Sequence, residues 1–339
     1  MSKQPSFAQG LVFCGIDVSA KTLAVSVLQQ DQPLRQRELA NTAGGHKALI
    51  TWLRKAKATV RVSLEATGVY SLDLALALDA AEGIELSVLN PRRVHQFAQT
   101  LRRSKTDAAD ALVLAEYSKR MPFVAWRRPS QRALELRAVS RHLATLTEER
   151  ARLHNRLHAA ESSLATPRCV REDLKRSLAG IDKRILRLRK AAVALIERDG
   201  EMQRKFRHLT GITGIAETSA VHLLGELTTL APEMTARQWV AHSGLDPAHR
   251  HSGTSVNLPS RMSRHGNSQL RRALFMPALA GARFDPHMRA FYTLLQQRRK
   301  SKMQALMAVA RKLLHAIYGI FKTNTPYEGS KLFPQLKVA

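Results

Sequence analysis

The rhythm of apolar and polar positions changes along the chain. Between 11 and 120, short apolar runs alternate with stretches of helical spacing. LVFCGID (11–17) is an apolar run that ends on an acid, LAVSVLQ (23–29) follows a short turn, and LRQRELA (34–40) comes next. Residues 44–55 carry helical spacing through Leu49, Ile50 and Leu53. TVRVSLE (59–65) is β-branched, alternates, and again ends on an acid. Residues 70–81 read as helix and IELSVLN (84–90) as strand. Pro91 opens the next helix, and a last helix covers about 106–119. Three early strands followed by helix–strand alternation predict a mixed sheet with helices packed on it.

From 130 to 200 the period is that of a coiled coil. Leu136, Val139, Leu143, Leu146, Leu153, Leu157 and Leu164 fit one heptad seam, with Arg150 and Ala160 at the remaining seam positions. Pro167 breaks it. Leu174, Leu178, Ile181, Ile185, Leu188, Ala192 and Leu195 then resume the seam. Two such helices fold back on each other, pair with another subunit, or do both. From about 205 onward the pattern is helical with Gly-rich breaks. LTGITGIAETSA (209–220) resembles a helix-hairpin-helix element, whose backbone N–H groups can meet a phosphate, although such turns also simply connect helices. Residues 301–321 read as a strongly amphipathic core helix.

Charge narrows the partner. Fifty-four Lys and Arg stand against 27 Asp and Glu in 339 residues, a formal charge of +27. A balance this positive opposes folding by self-repulsion and points to a polyanion as partner. Hydrophobic residues make up 44% of the chain, enough for real cores in two or three domains. Cys14 and Cys169 exclude a disulfide scaffold or a Cys-based zinc finger. The opening MSKQPSFAQG lacks the apolar run of a signal peptide, and no run is long enough for a membrane span. A reduced, intracellular, nucleic-acid-facing protein is expected.

Within so basic a chain, a few acids are placed suggestively. Asp17 ends the first strand and Glu65 the fourth, and strand ends of such sheets are where ligands collect. Asp107 and Asp110 are three apart on a helix and share a face. Four carboxylates converging on one edge repel one another unless divalent metal lies between them. Taken singly, each is an ordinary cap or surface charge, and Asp107 could simply be a first-turn acid. The segment between Glu85 and Asp107 has no acid and carries Arg92, Arg93, Arg102, Arg103 and Lys105, which suits a loop guiding phosphates toward that edge.

A second basic segment holds serines. Between Glu233 and Asp285 the only acid is Asp246, among Arg250, Arg261, Arg264, Arg271 and Arg272. Many Arg and few acids suit phosphodiester oxygens. A serine becomes a nucleophile when a neighbour takes its proton and the developing charge is neutralised. Ser252 stands between His251 and Gly253, but spacing alone does not separate it from Ser255 or Ser263.

GIDVSAKTLAV, SLEATGVY, SVLNPRRVHQFA, RRSKTDAADALVLAEY, GITGIAETSA, the SG…SRMS-HGN--LRRAL region and RKLLHAIYGI occur in order over nearly the whole chain. Together they resemble the DEDD transposases of bacterial insertion sequences, a group that includes the Piv-type DNA invertases. The resemblance implies an α/β plus α fold in three regions. These are an RNase H-like, RuvC-like DEDD catalytic domain (1–125), a coiled-coil oligomerisation region (126–204) and a mostly helical, serine-bearing transposase domain (205–339). It places the four acids at Asp17, Glu65, Asp107 and Asp110 and the nucleophilic serine at Ser252. It also implies Mg²⁺, donor and target DNA, a structured non-coding guide (bridge) RNA, and a homo-oligomer from dimer to tetramer. The acids of one subunit would face the serine of another, and Arg261, Arg264, Arg271 and Arg272 are the expected phosphate contacts near that serine.

Rival readings make different demands. A RuvC-type nuclease using metal-activated water needs the acids but gives the serine no task. A non-catalytic, basic coiled-coil protein explains the charge and the heptads, but not acids at strand ends. Nearest of all is a Piv-like invertase that works without guide RNA.

Overall fold

The computed structural model describes residues 10–29, 33–66, 68–101, 106–252 and 256–333. The chain forms two compact units, up to Arg128 and from Pro129 onward.

In the first unit, β1 (Leu11–Val18), β2 (Thr22–Leu28) and β3 (Arg35–Ala40) form an antiparallel meander. Next come α1 (Ala43–Arg54), β4 (Thr59–Glu65), α2 (Leu72–Asp79), β5 (Ile84–Leu89), α3 (Pro91–Ala98) and α4 (Asp107–Arg120). The sheet order is β3-β2-β1-β4-β5, with β4 parallel to β1 and β5 parallel to β4. This is the mixed sheet, with helices packed on it, that the RNase H-like expectation requires. Thr42, Asn90 and Thr106 cap α1, α3 and α4 by accepting from first-turn N–H groups, each worth about 1 kcal/mol.

Strand alternation gives the sheet two different faces. One is apolar. Val12, Cys14, Ile16 and Val18 of β1 join Val60, Val62 and Leu64 of β4, and α1 and α2 cover them with Leu49, Leu53, Leu74 and Leu78. On the other face a row of small residues crosses four strands in register: Ser26, Gly15, Ser63 and Ser87. Over that row lies α4. A Cβ on Gly15 would stand 2.0 Å from the Ala111 carbonyl oxygen and 2.3 Å from the Ala115 nitrogen. Only glycine admits the helix at this depth.

The second unit begins with α5 (Gln131–Glu161) and α6 (Arg168–Glu197), an antiparallel hairpin of the predicted seam. Arg150 at its seam position pairs with Asp182 across the hairpin at 2.5 Å, and Lys175 with Glu161 at 2.9 Å. Leu136, Leu143, Ala192 and Ile196 at its base enter the unit's main core. The seam is shorter than its pattern, because α5 ends at Glu161 and Leu164 is fully exposed. Then come α7 (Gly200–Thr210), α8 (Glu217–Leu227), α9 (Ala236–Ser243), β6 (Pro247–Ser252), β7 (Val256–Met262), α10 (Ser268–Phe284), α11 (Pro286–Gln297), α12 (Lys302–Thr323) and α13 (Gly329–Leu332). Helix α12 is the amphipathic core helix expected at 301–321, with Leu306, Val309, Leu313 and Ile317 buried. No helix among the described residues is long and apolar enough to cross a membrane.

Candidate active site

The sheet register brings Asp17 and Glu65 side by side. Ile16 pairs with Leu64 on parallel β1 and β4, so the next residues along, Asp17 and Glu65, are neighbours. Both lie on the face that carries Gly15 and Ser63, one pleat repeat toward the C-terminal strand ends. Across the sheet their row reads Ala24, Asp17, Glu65, Leu89. Asp107 and Asp110 occupy the first turn of α4, the helix seated on this face. The start of α4 is held in place by the sheet: the Ala108 carbonyl accepts from Gln36 Nε2 at 3.1 Å and from Ser26 Oγ at 3.4 Å. Two acids therefore lie on this face of the sheet and two in the first turn of the helix seated on it.

They do not close into a cage by themselves. Among the described residues, no three Asp, Glu, His or Cys side chains are gathered closely enough to hold an ion. Two acids stand on strand ends and two on the helix above. The donor set itself suits a hard divalent cation, since every candidate ligand is a carboxylate.

Of the basic residues expected nearby, Arg92 and Arg93 are exposed in the first turn of α3, directly after β5. Arg102, Arg103 and Lys105 lie outside the described residues.

In the second unit, Ser252 ends β6, with its backbone paired to Val256 of β7. Ser255 lies outside the described residues. Two other serines of the segment are committed to the fold. Ser243 is fully buried and donates to the Val240 carbonyl at 2.7 Å. Ser263 is buried and donates to Asp246 Oδ1 at 2.5 Å. Arg261 and Arg264 are exposed, with Arg264 in the left-handed region at φ 56°. Arg271 donates to the Ser243 carbonyl at 2.8 Å, and Arg272 pairs with Glu148.

Beneath this segment lies a polar network with no periodic signature. Glu226 on α8 is 3% exposed and accepts from Arg141 Nε at 2.7 Å, from Arg141 Nη2 at 2.9 Å and from Asn267 Nδ2 at 2.5 Å. Burial alone would raise its carboxyl, but the hydrogen bonds from Arg141 and Asn267 outweigh it and hold the group below the ordinary carboxylate range. Asn267 also caps α10, its Oδ1 accepting from the Gln269 and Leu270 N–H groups. A Cβ on Gly266 would stand 2.1 Å from the His242 carbonyl oxygen, so the His-Gly-Asn run is built for close approach. Burial pushes the nearby His222 and His242 imidazoles down, toward the neutral form. These residues position the elements on either side of the β6–β7 hairpin. In the α7–α8 turn, Gly214 has φ +95°, and a Cβ there would meet the Pro277 carbonyl oxygen at 2.7 Å, so packing on α10 accounts for this glycine.

Both units are similar in sequence to known proteins. The DEDD transposase model of the IS110 type matches residues 14–161, and the model for the transposase IS116/IS110/IS902 family matches residues 206–293. A pilin gene-inverting protein of Moraxella bovis is 27% identical over 329 residues, covering 93% of this chain and 97% of that protein. A 43.6 kDa protein of insertion element IS110 from Streptomyces coelicolor is 32% identical over 120 residues, 35% of this chain and 29% of that one. The solved T. thermophilus RuvC in complex with a Holliday junction substrate is 16% identical, with TM-score 0.24, over 32% of this chain and 95% of that chain.

The family matches and relatives make the chain an enzyme of the DNA transposase and recombinase class. Within it, the chain belongs to the IS110 family of DEDD transposases, the group that also takes in the Piv-type inverting proteins.

Proposed function

We propose that this chain is an RNA-guided recombinase of an insertion sequence, exchanging DNA strands through a covalent phosphoserine at Ser252. The observation that carries the reading is the placement of Asp17 and Glu65 side by side on the sheet face where α4, with Asp107 and Asp110 in its first turn, is seated. Mg²⁺ bound there would supply Lewis-acid polarisation of the scissile phosphate. Asp17, Glu65, Asp107 and Asp110 would hold it. Ser252 Oγ would attack the phosphorus and give its proton to solvent, and the P–O bond to the leaving strand would break, its oxygen taking a proton from water to leave as a hydroxyl. That hydroxyl would then attack a partner's phosphoserine, restoring the phosphodiester and the free serine. Phosphodiester energy is conserved in the covalent step, so no nucleotide hydrolysis is called for. Assembly into dimers and tetramers, with the acids of one subunit meeting the serine of another, is part of the same reading.

Ser252→Ala should abolish the protein–DNA adduct and leave nucleic-acid binding intact, while Asp17→Asn should abolish both adduct and cleavage. Cleavage that survives Ser252→Ala but not Asp17→Asn would mean a water-using nuclease and overturn the proposal.

A second reading, a site-specific invertase without guide RNA, is favoured by the inverting protein that matches 93% of the chain. Sequencing RNA that co-purifies with the protein separates the two.

A further inference from the structure

On the other side of the sheet from the four acids, the first unit has a cavity of about 670 Å³. Its lining includes Asn41, His46, Ile50, Val69, Tyr70 and Asp73. It opens among the segments that leave the acid-bearing strands. Ala20 follows β1, and Val69 and Tyr70 follow β4. The cavity therefore shares an edge of the sheet with Asp17 and Glu65.

Its polar floor is built. Asn41 Nδ2 donates to the Ser19 carbonyl at 2.8 Å and to the Tyr70 carbonyl at 3.1 Å. His46, itself 7% exposed, donates from Nε2 to Asn41 Oδ1 at 2.8 Å. One amide thus clasps the loop after Asp17 to the loop after Glu65 and lines the cavity. The rim is the opposite in character. Val69 and Tyr70 are 76% and 53% exposed, side by side, at the mouth. An exposed aromatic next to an exposed aliphatic, over a satisfied polar floor, favours a flat ligand with an apolar face and a polar edge. Lys47 on the wall is exposed and offers a cation to a phosphate, and Asp73 offers an acceptor to an exocyclic amine.

We propose that this cavity takes a nucleobase from an unpaired strand, with Tyr70 as the stacking platform. A base locked in a duplex has its faces covered by its neighbours and cannot present one to Tyr70, whereas an unpaired base can. The volume lies in the range of small-ligand pockets, large enough for a single base. Seated on the clasp between the two acid-bearing strands, the base would fix the course of a strand passing the carboxylates. The inference needs only that nucleic acid is the partner, and is independent of the serine chemistry.

The test uses the full-length protein without divalent metal, with labelled oligo(dT) and oligo(U) of about 16 nucleotides and a DNA duplex of equal length. Tyr70→Ala keeps the backbone carbonyl that Asn41 holds and removes an exposed ring, so the fold is retained. It should weaken single-strand binding about tenfold, while Tyr70→Phe stays within about twofold of wild type. Duplex binding should be the same in wild type and Tyr70→Ala. In Tyr70→Trp, oligo(dT) or oligo(U) should quench emission beyond the wild-type background. Loss confined to the DNA or to the RNA oligomer identifies which strand supplies the base. Unchanged single-strand affinity in Tyr70→Ala, or an unresponsive Tyr70→Trp, would overturn the proposal. Failure of the wild-type protein to bind any of the three probes would count against the nucleic-acid partner itself.

Discussion

Single residues decide how closely the elements approach. Gly15 is the clearest case, because the carboxylate face depends on α4 lying deep in the row Ser26, Gly15, Ser63 and Ser87. The row serves by its small size: Ser63 Oγ is buried with no hydrogen-bond partner. Gly15→Ala should lift α4 and cost about 1–3 kcal/mol of stability, read by urea unfolding, and should lower cleavage with it. Glu226 is the residue-scale device of the second unit. Its carboxyl is held below the ordinary range, so it contributes stability above the unfolded-state pKa of about 4.3, and that contribution is lost as pH falls through the lower folded value. Glu226→Leu should cost about 1–3 kcal/mol at neutral pH, because Asn267 and the half-exposed Arg141 lose their acceptor. Its stability should also fall less steeply than that of wild type as pH is lowered below about 4.3. Parallel acid limbs in urea melts would show that Glu226 does not titrate with folding.

At the scale of elements, Asn267 ties α10 to α8 by capping one and donating to Glu226 on the other. Asn267→Ala should cost about 2 kcal/mol, more than a cap alone, and should be non-additive with Glu226→Leu in a double-mutant cycle. The elements of the first unit were largely legible, because strands such as TVRVSLE alternate and helices such as 44–55 repeat at helical spacing. Acids at strand ends were legible for the same reason. The β6–β7 hairpin is not legible in the sequence: PAHRHS and VNLPSRM are basic, carry little apolar alternation, and include Pro259. The end of α5 is hidden in the pattern, because Leu164 continues the heptad by position while the chain has already turned at Ser162. The Glu226 network escaped too, since Arg141, Glu226 and Asn267 are far apart in sequence and only folding joins them.

For the whole molecule, the surplus of 54 basic over 27 acidic residues is the dominant fact. A chain making about 6–10 phosphate contacts should lose roughly 10³–10⁵ in DNA affinity between about 50 and 200 mM salt, measured by anisotropy. A flat salt response would contradict a phosphate-dominated interface. The four candidate carboxylates belong to the first unit, on β1, β4 and α4, and Ser252 belongs to the second, at the end of β6.

The most direct test is to incubate the full-length protein, with its co-purifying RNA, Mg²⁺ and DNA carrying the element's end, and to map any covalent adduct by mass spectrometry after nuclease digestion. A phosphonucleotide on Ser252 that forms only with Mg²⁺ and disappears in Asp110→Asn is the predicted result. Cleaved DNA without a protein adduct, or an adduct on any other residue, would contradict it.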